Sequence, residues 1–108
     1  QMKKVNNKKG REMKFDIGGH NYSVNLVDSK TTSDGKMLLG HHDTRTCTIN
    51  LDGGMSKSRT QETFLHEIVH VILTNAGMQE HDEMMIDATA NGLLQLGVGD
   101  FLWKKLKK

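Results

Sequence analysis

Cysteine occurs once and proline not at all in these 108 residues. A single cysteine excludes an internal disulfide framework and fits a reducing compartment. No apolar run approaches the roughly 20 residues that a membrane-spanning helix needs. The opening stretch, QMKKVNNKKGREMKF, is basic but lacks the apolar segment of a secretory signal, so a cytoplasmic location is expected. There is no internal repeat and no low-complexity tract. A chain of this length has room for one modest hydrophobic core and not two, so a single domain is expected.

What is present is unevenly distributed charge. The formal net charge is +2, yet residues 1–14 carry six Lys/Arg against one Glu, and residues 104–108 carry four Lys. Residues 15–103 hold five Lys/Arg against twelve Asp/Glu. A protein built around nucleic acid concentrates positive charge on its folded body, whereas this body is acidic. The expectation is therefore a flexible basic leader (1–14), one folded domain (15–103) and a basic tail (104–108). Contact with nucleic acid is expected to be no more than weak and confined to the ends, and no membrane contact is expected.

Two periodicities divide the body. In MKFDIGGHNYSVNLV, Phe15 and Ile17 alternate before a Gly18-Gly19 pair, and Tyr22, Val24 and Leu26 alternate after it. Paired glycines between alternating segments mark a β-hairpin with a two-residue turn. DSKTTSDG reads as a polar loop. KMLLG and TCTINL read as further short strands with His41-His42-Asp43 at a turn between them. Cys47, Ile49 and Leu51 share one face of the last strand, which predicts a packed thiol and not a catalytic one.

From Ser58 to Ala76 the apolar positions Phe64, Leu65, Ile68, Val69, Ile72, Leu73 and Ala76 follow the 3.6-residue stripe of a helix. Ser58 and Gln61 have the spacing of a capping box, and Gly77 is a natural stop. A second helix is expected from Glu80 to Leu96, with Met85, Ile86, Thr89, Ala90, Leu93 and Leu96 inward. A short third helix follows, capped by Asp100 and carrying Phe101, Leu102, Trp103 and Leu106. Strands first and helices after predict an α+β domain: a small antiparallel sheet of three to four strands with two main helices on one face.

The chemistry lies inside the first helix, at TFLHEIVHVIL. His66 and His70 are four residues apart, which separates them by only about 40° around a helix axis. Both imidazoles can reach one ion, and Glu67, about 100° from His66, flanks it. This is HExxH, which reads mechanically as two zinc ligands and a general base. Three ionisable groups amid Leu65, Ile68, Val69 and Val71 are costly to bury unless something binds them.

A catalytic zinc takes three protein ligands and leaves one position for water. A helical hairpin broken at Gly77 would fold Glu83 back toward His70, making it the first candidate for third ligand. Asp87, four residues on, would hydrogen-bond a ligand histidine and fix its tautomer. Asp87 or His81 as the ligand are the alternatives. His41 and His42 are expected to be exposed, because neighbours on an extended chain point to opposite faces; a turn there is the alternative that would let one of them line the cleft. Tyr22, His20, His41, His42 and Arg45 are all candidates for stabilising a developing oxyanion.

FLHEIVHVIL followed by EMMIDATANGLLQL resembles the small HExxH metallopeptidases of the ImmA/IrrE type, particularly the compact phage and mobile-element forms. The order of LLG, a turn, TINLD and then the helix is also similar, and the resemblance covers roughly residues 13–96. It implies a minimal zincin-like architecture, one Zn2+ on His66, His70 and Glu83, and Glu67 as base. It also implies a gluzincin-type role for Asp87 in supporting a histidine, and a bacterial or phage-infected cytoplasm. The activity it implies is hydrolysis of a protein or peptide substrate, such as a regulatory protein. The chain departs from the group in the short step of 13 residues from His70 to Glu83 and in Thr89, where a larger apolar residue is expected.

Two other functions compete. One is a zinc-stabilised, non-catalytic protein-binding domain, which a fourth protein ligand such as His81 or His41 would define. The other is a nucleic-acid module acting through the basic ends, whose binding would weaken steeply with salt and survive chelation. Iron or manganese also suits a two-histidine, one-carboxylate set, but a helical HExxH favours zinc.

Overall fold

The computed structural model describes residues 12–28, 30–31 and 37–107. Six strands precede three helices: β1 (Glu12–Ile17), β2 (His20–Val27), β3 (Lys30–Thr31), β4 (Met37–Leu38), β5 (Gly40–Asp43), β6 (Thr48–Asp52), α1 (Lys57–Asn75), α2 (Glu83–Gln95) and α3 (Val98–Trp103). The class is α+β. Residues 1–11 of the expected leader, Ser29 and residues 32–35 of the expected polar loop, Lys36 of the expected strand after it and Lys108 of the expected tail lie outside the described residues.

β1 and β2 form the hairpin that the glycine pair implies. Gly18 (φ 59°) and Gly19 (φ 87°) both occupy the left-handed region, which matches the right-handed twist of the strands they join. Met13, Ile17, Tyr22 and Val24 turn to one face and are buried. The main sheet has the order β1-β2-β6-β5. β1–β2 and β5–β6 are antiparallel, but β2 and β6 run parallel, with Val24 opposite Ile49 and Leu26 opposite Leu51. The sheet is thus mixed and not antiparallel throughout. Hydrophobic alternation decides which face a residue takes and is blind to strand direction. β3 and β4 make a separate two-stranded ladder.

His41 and His42 sit within β5, and the β5–β6 turn comes later, at Thr44–Cys47. The Asp43 carboxylate accepts hydrogen bonds there from the backbone N–H of Arg45 at 2.9 Å and of Thr46 at 3.4 Å. Cys47 therefore belongs to the turn and not to the strand, with φ 57°. It still packs against the core, half-buried.

α1 crosses this sheet. Its N-cap is Ser56, not Ser58: the Ser56 hydroxyl accepts from the Arg59 N–H at 3.3 Å. Phe64, Ile68 and Val71 join Ile49, Leu51 and the β1–β2 residues in one core. Phe64 meets Phe15 and Trp103 edge-on at ring centroid distances of 5.6 and 5.4 Å. At the far end of the helix the expected stripe overshoots the core, and Ile72 is 51% exposed.

α2 begins at Glu83, with Asp82 as N-cap accepting from the Met84 N–H at 3.0 Å. Only Ile86 and Ala90 on it are buried. Met85, Thr89 and Leu96, expected inward, are exposed. α3 starts after Gly97, and Asp100 does not cap it. Asp100 instead meets Gln61 and Lys57 of α1 and Lys104. Residues 104–107, read from charge alone as tail, return to the sheet. Leu106 is buried, and Lys107 pairs with Lys14 of β1 through two backbone hydrogen bonds of 2.7 and 3.0 Å.

Candidate metal centre

α1 and α2 pack side by side, and the turn between them brings Glu83 back to the level of the two histidines. His66 Nε2 lies 3.2 Å from His70 Nε2. Glu83 Oε1 is 3.3 Å from His66 Nε2, and Oε2 is 3.2 Å from His70 Nε2. One ligand atom from each of the three residues falls within a 4.8 Å span. Two bonds of 2.0–2.1 Å meeting at the tetrahedral angle span about 3.3–3.4 Å, so the contacts of 3.2–3.3 Å, with the two Glu83 oxygens reaching one histidine each, have the spacing of donors around one zinc ion.

The hydrogen bonds fix the ring tautomers in the same sense. Asp87 Oδ1 is 2.8 Å from His66 Nδ1. A carboxylate accepts only, so His66 Nδ1 donates, and in the neutral ring its Nε2 is left with a lone pair. His81 Nε2 is 2.9 Å from the Met78 carbonyl oxygen and must donate to it. In the neutral ring, His81 Nδ1 is then an acceptor, and His70 Nδ1, 2.6 Å away, donates to it. His70 Nε2 is left bare in turn. Four lone-pair-bearing atoms thus face one another at 3.2–3.3 Å. Such groups repel, and a shared cation offsets the repulsion. Burial also pushes the His70 pKa down, which favours the neutral ring that metal binding requires.

Neither nitrogen of His81 is directed to the donor cluster, since one serves His70 and the other the backbone. His41, on the outward face of β5, is exposed. Among the described residues the set is therefore His66, His70 and Glu83, three protein donors as in an open site.

Glu67 is 6% exposed. Its Oε1 accepts a hydrogen bond of 2.6 Å from His42 Nδ1, and the His42 ring stacks on His70 with centroids 5.1 Å apart. That bond to Glu67 raises the His42 pKa against the opposing effect of burial. Exposure at a turn was the favoured expectation for His42, with one histidine of the pair lining the cleft as the alternative; His42 faces the site, and does so from β5 and not from a turn. The alternation of a strand sends one of two adjacent histidines inward; which one depends on the register of β5 against β6, where His42 lies opposite Ile49. The other oxyanion candidates lie elsewhere. Tyr22 is in the core, and burial raises its pKa. His20 is exposed, and Arg45 pairs with Asp43 in the turn.

The close approach of β5 to α1 rests on Gly40. A Cβ there would stand 2.5 Å from Thr63 Cγ2 and 3.1 Å from Glu67 Oε2. The resulting cleft, about 280 Å³, is lined by Leu39 and Gly40 on the strand side and by Thr63, His66, Glu67 and Asp87 on the helix side. β5 is the edge strand of the sheet, so backbone donors and acceptors border the same cleft.

No family model matches the chain, and no curated protein or solved structure matches it either.

Proposed function

We propose that this chain is a zinc-dependent metallopeptidase in which His66, His70 and Glu83 hold the ion and Glu67 acts as general base. The observation that carries this reading is the convergence of His66, His70 and Glu83 beside the buried Glu67 carboxylate, with His66 and Glu67 lining an open cleft. When bound, the ion supplies a positive charge that acidifies a water and polarises a peptide carbonyl.

The chain's own residues supply the rest. Glu67, held by His42, accepts a proton from the attacking water and passes it to the leaving amine. His42, the one oxyanion candidate that reaches the site, donates a hydrogen bond to that carboxylate and so fixes where its free oxygen points. An extended peptide would add to the edge of β5, giving main-chain recognition with little demand on side chains. A regulatory protein as substrate rests on the resemblance of the sequence to the ImmA/IrrE-type group and on nothing else.

The test combines metal content by mass spectrometry with cleavage of a fluorescent casein. One zinc per chain is expected in the wild type and in Glu67→Gln, with cleavage lost only in the latter. His66→Ala is expected to lose the metal and Glu83→Gln to hold it more weakly. A folded wild type that takes up no zinc when it is supplied would overturn the proposal. Stoichiometric zinc with no cleavage of casein or of a random peptide library would replace it with the zinc-stabilised binding domain.

A further inference from the structure

The two basic segments stand at opposite ends of the sequence, but the fold joins them. Lys14 and Lys107 lie directly across an antiparallel bridge, an arrangement in which like charges destabilise one another. Between β1 and the segment after α3 runs a groove of about 570 Å³, lined by Lys14, Lys104, Lys105 and Lys107 over a floor that includes Phe15 and Leu106. β1 is the edge of the sheet opposite β5, so this groove and the metal centre border opposite edges.

Acids nearby neutralise only part of the charge. Lys14 reaches Glu12 at 3.3 Å, and Lys104 reaches Asp100 at 3.2 Å. Asp16, which also lines the groove, accepts a hydrogen bond from Asn21 at 2.9 Å. Lys105 and Lys107 have no ion pair among the described residues. The sequence then places five further Lys/Arg in residues 1–11, leading directly into β1.

We infer that this groove binds single-stranded nucleic acid through its backbone, independently of the metal centre. A concave row of lysines suits a flexible phosphate chain better than a flat bilayer. The lysines are point charges without the bidentate fork that favours carboxylates, so an acidic peptide gains less. One accessible aromatic ring stands beside them: Phe101 does not line the groove but is 60% exposed, with Lys105 Nζ 4.8 Å from its ring centroid, whereas Phe15 is packed against Phe64. A basic groove with an accessible ring at its margin is a combination that holds single strands, charge tracking the backbone and the ring stacking on a base.

The test is fluorescence anisotropy of a labelled 20-nucleotide single strand with the full chain, with and without a chelator. Binding is expected to survive chelation and to weaken with salt, with a log–log slope of about −2 to −3 for three or four lysine–phosphate contacts. The triple change Lys104→Glu, Lys105→Glu, Lys107→Glu should weaken it by about tenfold or more. Because that variant alters a segment paired with β1, Phe101→Ala serves as a second, less intrusive probe. It should weaken binding several-fold while leaving the salt slope unchanged. No binding at 50 mM salt, indifference to both variants, or loss on chelation would overturn the inference. So would tighter binding of a polyglutamate peptide, of anionic phosphatidylserine vesicles, or of a second copy of the chain seen as concentration-dependent self-association.

Discussion

His42 Nδ1 donates a hydrogen bond of 2.6 Å to Glu67 Oε1, tying edge strand β5 to the middle of α1 across 25 residues of sequence. The contact holds a carboxylate whose proposed task depends on where its other oxygen points. A displacement of about 1 Å at a reacting group can cost about a hundredfold in rate. His42→Ala is therefore expected to lower casein cleavage by about 10- to 100-fold with zinc content unchanged. His42→Gln, which retains a donor, should recover part of the loss. Equal losses in both variants, or loss of zinc in either, would reassign His42 to packing against His70.

His81 and Asp87 bear on the proposed metal site without contributing a donor to it. Each accepts from the Nδ1 of a histidine of the cluster and so presents the opposite nitrogen to the other donors. Without its partner a ring is free to rotate and change tautomer. His81→Ala and Asp87→Ala should each weaken zinc binding by about 10- to 100-fold, as measured by competition with a chromophoric chelator. Unchanged affinity in both would refute the tautomer argument.

Asp100 gives a dependence on pH whose sign is fixed. Hydrogen bonds from Lys104 and Gln61, aided by the charges of Lys104 and Lys57, hold its carboxyl below the usual carboxylate range. A group whose pKa is lower folded than unfolded stabilises the fold above its unfolded value, about 3.9 for Asp. That contribution disappears as pH falls through the lowered folded value. Asp100→Asn should therefore melt at a lower temperature than wild type at pH 7, and the gap should close below about pH 4. A gap that persists at pH 2 would mean that Asp100 acts through packing and not through charge.

How much of this was legible in the sequence depends on the range over which each feature is fixed. That His66 and His70 come together beside Glu67 could be read because helical geometry is rigid at a spacing of four residues, and that Glu83 joins them because a short hairpin leaves few places for it to return to. The Gly18-Gly19 turn was equally local. His42 was legible only as one of several candidates, since its contact with Glu67 needs the register of β5, the crossing of α1 over the sheet and the missing side chain at Gly40. The parallel β2–β6 pairing was hidden because alternation carries no direction. Met85 and Leu96 were read inward because an apolar stripe on a helix can be wider than the face its neighbours cover. The basic ends were taken for tails because charge counted along a chain does not show that Lys14 and Lys107 meet.

Gly40 makes that strand-to-helix contact testable directly. Gly40→Ala places a methyl group 2.5 Å from Thr63 Cγ2, with the Glu67 carboxylate close behind. Overpacking of this kind costs about 1–3 kcal/mol, and it should appear as a lowered midpoint of urea unfolding. Thr63→Ser removes the offending methyl while keeping the hydroxyl that donates to the Arg59 carbonyl at 2.9 Å. The double variant Gly40→Ala, Thr63→Ser should therefore be more stable than the sum of the two single changes implies, a coupling of about 0.5 kcal/mol or more. The residual strain then falls on Glu67 alone, so the double variant should still cleave casein more slowly than Thr63→Ser. Strict additivity would mean that β5 and α1 do not meet at Thr63. Full cleavage by the double variant would mean that the Glu67 carboxylate has room to shift without consequence for its proposed role.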